Sequence, residues 1–141
     1  ALPIWFHNEM RSQLASAGNF SLLPIITVST LNIWYLPELY LELTRRLGSQ
    51  PHLNLVRKPW YYRIDNMPDG VKQEVVDKFK QYPEIEKLNS YINFINATPM
   101  DPELWRQFKF WTRAKDDYRK ESFKDSLPEF YEIIKRHDDE F

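Results

Sequence analysis

The chain has 141 residues, of which 43% are apolar and 28% charged, with a formal net charge of −1 and no cysteine. That length fits one domain with a real core, and the near-neutral balance supplies no overall field for nucleic acid or an anionic membrane. Without cysteine the chain offers no disulfide, thiolate zinc site, iron–sulfur ligation or cysteine nucleophile.

The opening residues, 4–17, carry Trp5, Met10, Leu14 and Ala17 at helical spacing and stop at Gly18-Asn19. A strand is expected over about 20–30, with Thr27 and Ser29 on one side and Asn32 past its end. The apolar run from Leu22 to Val28 is too short to cross a membrane and contains Pro24. Ala1 to Trp5 lacks the charged n-region of a signal peptide, and a cytoplasmic location is expected. An amphipathic stretch from Ile33 to Leu47 follows, its helix proper beginning near Leu36 because Pro37 suits a first turn.

A second strand is expected over 52–58, on which His52, Asn54, Val56 and Lys58 share a side. Two strands joined by a helical crossover are expected to be parallel. The β-prone run Trp60-Tyr61-Tyr62-Arg63-Ile64 offers a third strand over 61–65. Helices are then expected after Pro68-Asp69, around Ile85 to Ile95, after Asp101-Pro102 and after Pro128, with a charged, fraying tail over 136–141. The chain thus reads as α/β, with two or three short strands, five to six helices and a helical carboxyl-terminal half. Its organisation reads as a strand–helix–strand part over 1–67 and a helical part over 68–141, packed together as one body.

Ligands of parallel α/β sheets gather beyond the carboxyl ends of the strands, which brings Asn32 and Lys58 into consideration. A parallel strand covered on both faces should be nearly all apolar. Thr27, Ser29, His52 and Asn54 break that rule, either because they meet a ligand or because they satisfy one another within a plain core. The three histidines lack metal-ligand spacing, and His7 and His137 read as solvated. Arg63 and Asp65, beside three aromatics, suit either a partner surface or helix packing.

Thr27-Val28-Ser29-Thr30-Leu31-Asn32-Ile33-Trp34-Tyr35-Leu36-Pro37 resembles the TVSxxNxxxLP stretch of twitch-domain radical S-adenosylmethionine proteins, common in marine bacteria and phage. His52-Leu53-Asn54 with Pro59 is similar to that family's HxN…P strand, and Met67-Pro68 to its LP. Thr112, Asp116, Arg119, Phe123, Pro128 and Glu129 match its TKxxDxxRxxxFxxxxPEL finish, and Asn19 falls where the family has Asn before the strand. The resemblance implies a fragment of a partial (β/α) barrel. It assigns Thr27, Ser29 and Asn32 to a wall facing S-adenosylmethionine, and His52 and Asn54 to the adjoining wall. The family's CxxxCxxC loop is absent, so this chain cannot hold the iron–sulfur cluster that starts the radical reaction.

The leading expectation is therefore the carboxyl-terminal part of a radical S-adenosylmethionine-like protein, catalytically incompetent alone but able to offer a partial site for that cofactor. The alternative is a non-enzymatic protein-interaction module. A sheet of two or three parallel strands leaves edges and faces uncovered. The expected partner is a second copy, forming a dimer, or a missing amino-terminal portion, with no nucleic acid or membrane partner.

Overall fold

The computed structural model describes residues 9–10, 12–13, 18 and 23–141. The helix expected over 4–17, together with His7 and Asn19, falls wholly or largely outside them. Among the described residues there are two strands, β1 (Ile25–Val28) and β2 (His52–Leu55), and six α-helices. The helices are α1 (Leu36–Leu47), α2 (Asp69–Phe79), α3 (Lys87–Asn96), α4 (Pro102–Arg119), α5 (Phe123–Ser126) and α6 (Pro128–His137). The backbone groups into two units, Ala1–Thr27 with Glu38–Asn54, and Val28–Pro37 with Leu55–Phe141.

The first unit is a strand–helix–strand unit, and its strands pair as a parallel ladder. The His52 N–H donates to the Pro24 carbonyl at 2.8 Å, which sets the register: His52 lies beside Ile25 and Asn54 beside Thr27. Alternation then gives the sheet two unlike faces. Ile26 and Leu53 are buried, whereas Ile25, Thr27, His52 and Asn54 are exposed. The polar residues stand on an open face, and the covering of both faces that made them look anomalous does not apply. Gly48 ends α1 at positive φ, its N–H returning to the Thr44 carbonyl at 2.9 Å.

The strands are shorter than expected for local reasons. Ser29 N–H turns to its neighbour Asn32 (Oδ1, 2.9 Å), which ends β1 at Val28. After Leu55, the Val56 N–H still reaches the Val28 carbonyl at 2.9 Å, and Pro59 then offers no donor. The third strand expected over 61–65 is not formed. Trp60–Tyr62 is a 3-10 turn in which Tyr62 N–H bonds the Pro59 carbonyl at 3.0 Å and Arg63 N–H bonds Trp60 at 3.1 Å. Donors used inside the turn cannot also build a ladder, and this local closure overrides the β-propensity of the aromatics.

In the second unit α2 packs against α3 and α6, and α4 against the 3-10 turn and α5. Its core includes Ile64, Met67, Val71, Phe79, Phe108, Phe130 and Ile134, all at 1% exposure or less. Asp101 caps α4 by accepting from Glu103 N–H at 2.9 Å, with Pro102 in the first turn. The tail does not fray. Asp138 accepts from Trp105 Nε1 at 2.8 Å, Lys109 Nζ at 2.9 Å and Glu140 N–H at 3.0 Å. The hook so formed sets the Phe141 ring against Phe123, Tyr131, Trp105 and Phe108, with centroids 5.2 to 6.2 Å apart. His137 is likewise not simply solvated. It lies over Gly70, where a Cβ would come within 2.1 Å of its ring, and its Nε2 is 3.5 Å from Glu74.

Partial burial alone would raise the Asp138 carboxyl, but hydrogen bonds from Lys109, Trp105 and the Glu140 N–H, with the Lys109 charge, outweigh it and hold the pKa below its ordinary value. A carboxyl whose folded pKa is depressed contributes stability above its unfolded pKa, and that contribution disappears as pH falls through the folded value. Unfolding midpoints should therefore drop below about pH 4. Asp138→Asn should lower stability at neutral pH and flatten that acid limb, as read by urea titration at several pH values.

Thr30 is fully buried and joins the turn after β1 to the 3-10 turn. Its N–H donates to the Tyr62 carbonyl at 3.0 Å, and its hydroxyl lies 3.2 Å from that oxygen and 3.0 Å from the Arg63 carbonyl. Thr30→Val keeps the shape and removes the hydroxyl bond, while the Thr30 N–H still serves the Tyr62 carbonyl and the Asn66 N–H the Arg63 carbonyl. A loss of about 0.5–1.5 kcal/mol is expected, seen as a lower urea midpoint at unchanged slope.

Candidate functional site

Within the helical unit a cavity of about 210 Å³ opens beside the turn that follows β1. The turn supplies Leu31, and the 3-10 turn supplies Tyr62. Helix α4 supplies Thr112, Lys115, Asp116 and Arg119, whose spacing of three and four residues puts them on one face. The remaining wall is Glu121, Phe123, Ser126 and Leu127, from the segment that reverses the chain.

That reversal follows from local chemistry. Lys120 adopts the left-handed conformation at φ 57°, and the Glu121 N–H bonds the Asp116 carbonyl at 3.0 Å. The chain then turns so that Phe123 N–H meets the Asp116 carboxylate at 2.7 Å. Asp116 is thus committed to the fold. Lys115 Nζ instead reaches the Tyr62 hydroxyl at 2.6 Å and lies 4.5 Å from the centre of that ring. Thr112 is 6% exposed, and its buried hydroxyl has no hydrogen-bond partner.

The residues singled out in the sequence fall into two groups. Thr27, His52 and Asn54 stand on the open face of the two-stranded sheet, Thr27 beside Asn54 in the ladder. Ser29 and Asn32 belong to the other unit and hold a turn: Ser29 Oγ accepts from Leu31 N–H at 3.3 Å while Asn32 Oδ1 accepts from Ser29 N–H. Lys58 is exposed. Sequence reasoning did not single out Tyr62 or Lys115 as site residues. Thr112, Asp116, Arg119 and Phe123 enter the sequence reading only as matches to the resembled family's finish, and their meeting with residues 31 and 62 is a tertiary fact.

A second polar cluster lies elsewhere in the same unit. Asp65 holds Arg63 through two bonds, Nε–Oδ1 at 3.0 Å and Nη2–Oδ2 at 2.5 Å, and accepts from the Thr98 hydroxyl at 3.1 Å. Arg63 lies over Trp60 and Phe94, at 5.2 and 5.6 Å. Lys72 is buried and donates to the Thr98 carbonyl at 2.7 Å; burial lowers its pKa against the opposing pull of Asp69 and Asp65. Asn66 Oδ1 accepts from the Asp101 N–H at 2.8 Å. These bonds tie the segment before α2 to the α3–α4 connection, a structural role.

Among the described residues no group of three or more His, Asp or Glu could hold a metal ion, and no helix is long and apolar enough to cross a membrane. No family model matches this sequence, and no curated protein or solved structure matches it either.

An unsatisfied buried hydroxyl costs stability without returning a bond. Thr112→Val removes it at nearly constant shape and should leave the folded state unchanged or stabilise it by up to about 1 kcal/mol, measured by thermal and urea unfolding.

Proposed function

We propose that this chain is the carboxyl-terminal part of a radical S-adenosylmethionine-like protein, unable to begin radical chemistry alone because it supplies no cysteine for the iron–sulfur cluster. The observation that supports this reading most is the parallel strand–helix–strand unit. Its open face carries Thr27, His52 and Asn54, three of the residues that the resemblance assigns to the cofactor-facing walls. Among the described residues each of the two strands has one edge without a partner strand. On this reading the sheet is extended either by an amino-terminal portion bearing the cluster or, in a dimer, by a second copy. Such chemistry is at home in the reducing cytoplasm.

A second reading, a protein-interaction module, is favoured by the aromatic side chains along α4. Phe110, Trp111 and Tyr118 are 58%, 43% and 88% exposed, and Trp111 stacks on Tyr61 at 6.3 Å.

The genomic sequence around Ala1 tests the first reading. A CxxxCxxC segment is expected upstream in frame or in an adjacent frame; a stop codon with no such segment nearby overturns it. Sedimentation of the chain alone discriminates the partner: a dimer supports the second copy, and a monomer at tens of micromolar, about the range of a weak association, removes it.

A further inference from the structure

We infer that the cavity beside Tyr62 is a binding site for a small oxyanion-bearing molecule, a carboxylate or a phosphate monoester, held by Lys115, Arg119 and the Tyr62 hydroxyl. The inference holds under either reading of the function.

Donor arithmetic carries it. An ammonium has three protons to give and a guanidinium five, and neither can accept. Lys115 spends one on the Tyr62 oxygen, which leaves the phenolic proton free to donate. Elsewhere in the chain Arg45, Arg46, Arg63, Lys109, Arg106 and Arg136 each pair with a carboxylate. Among the described residues Lys115 and Arg119 form no such pair, and neither do Arg57, Lys58, Lys80, Lys120 and Lys124; Lys115 and Arg119 share one cavity, which the carboxylates of Asp116 and Glu121 also line. One of these, Asp116, is engaged by the Phe123 N–H.

Lys115 and Arg119 stand four residues apart on one helix face, so an arriving oxyanion can take a charge-assisted hydrogen bond from each. The adjoining Thr112 hydroxyl has no partner of its own. Leu31, Phe123 and Leu127 supply an apolar floor, and 210 Å³ matches about seven water molecules, the size of a small metabolite.

The test uses the full chain at low ionic strength, titrated separately with inorganic phosphate and with isovalerate while amide resonances are followed by NMR. Saturable shifts centred on Tyr62, Lys115 and Phe123 are expected, with millimolar affinity. Affinity should fall at least about tenfold in Lys115→Met/Arg119→Met, and remain unchanged in Lys124→Met, whose ammonium lies over Tyr131 outside the cavity. Arg119 is exposed and its side chain makes no bond among the described residues, so Arg119→Met alone should keep the unfolding midpoint and still weaken binding. The double variant also loses the Lys115 bond to Tyr62 and is compared at matched folded fraction. Tighter isovalerate identifies the carboxylate class and tighter phosphate the phosphate class, and either supports the inference. No saturable shift up to about 50 mM of either probe, or affinity unchanged in the cation variants, overturns it.

Discussion

The second unit depends on a single buried threonine. The 3-10 turn at Trp60–Tyr62 closes on itself and leaves the Tyr62 carbonyl to a donor from elsewhere, while the Arg63 carbonyl takes the Asn66 N–H at 3.1 Å. Thr30 supplies both its N–H and its hydroxyl, with no exposure to solvent. A buried carbonyl left without a donor costs about 1–3 kcal/mol, so the turn after β1 and the 3-10 turn cannot separate cheaply. The Tyr62 ring is thereby fixed edge-on to Phe108, at 6.0 Å, and its hydroxyl comes within reach of Lys115. The cavity is a consequence of this lock: Leu31 follows Thr30 directly, and both ends of Tyr62 are held.

A second constraint closes the carboxyl-terminal side. Asp138 gathers donors from Trp105, Lys109 and its own following turn, which brings an aromatic residue back onto α4. Phe108, Phe123 and Phe141 then meet near a common centre, edge-on or stacked, in the orientations that aromatic quadrupoles favour. The same ring contacts fix Phe123, whose N–H engages Asp116 on the cavity wall. Stability at the hook and geometry at the cavity are therefore linked through one side chain.

Helix boundaries were legible because Pro and cap residues act locally. Pro37, Pro68 and Asp101-Pro102 stand at or within a residue of the starts of α1, α2 and α4, and Leu127-Pro128 opens α6. Strand extent was not legible, since Ser29 and Asn32 end β1 by side-chain bonds that compete with the ladder. The run Trp60–Ile64 misled because its propensity describes a pleated surface, and no neighbouring strand supplied one. The tail looked disordered from its charges alone; one carboxylate with three converging donors reverses that expectation. Of the cavity, Thr112, Asp116, Arg119 and Phe123 stood out only through the family resemblance, and Lys115 and Tyr62 did not stand out as site residues because a tertiary contact brings them together.

Helix α4 shows why the cavity sits where it does. Trp105, Phe108 and Thr112 form its buried stripe, and the same stripe continues through Lys115 and Asp116 to Arg119. At about 100° per residue, positions 108, 112, 115 and 119 all fall on one side, whereas Phe110, Ala114 and Tyr118 face another. A helix built only for packing would have extended the apolar stripe to its end. Here that side of the helix changes from buried aromatic to exposed cationic over the last two turns, beside a space lined by Leu127 and Phe123. The exposed aromatics on the other side can meet a partner without obstructing that space. Trp111 is the link between the two sides, since it stacks on Tyr61, which packs edge-on to the cavity residue Tyr62.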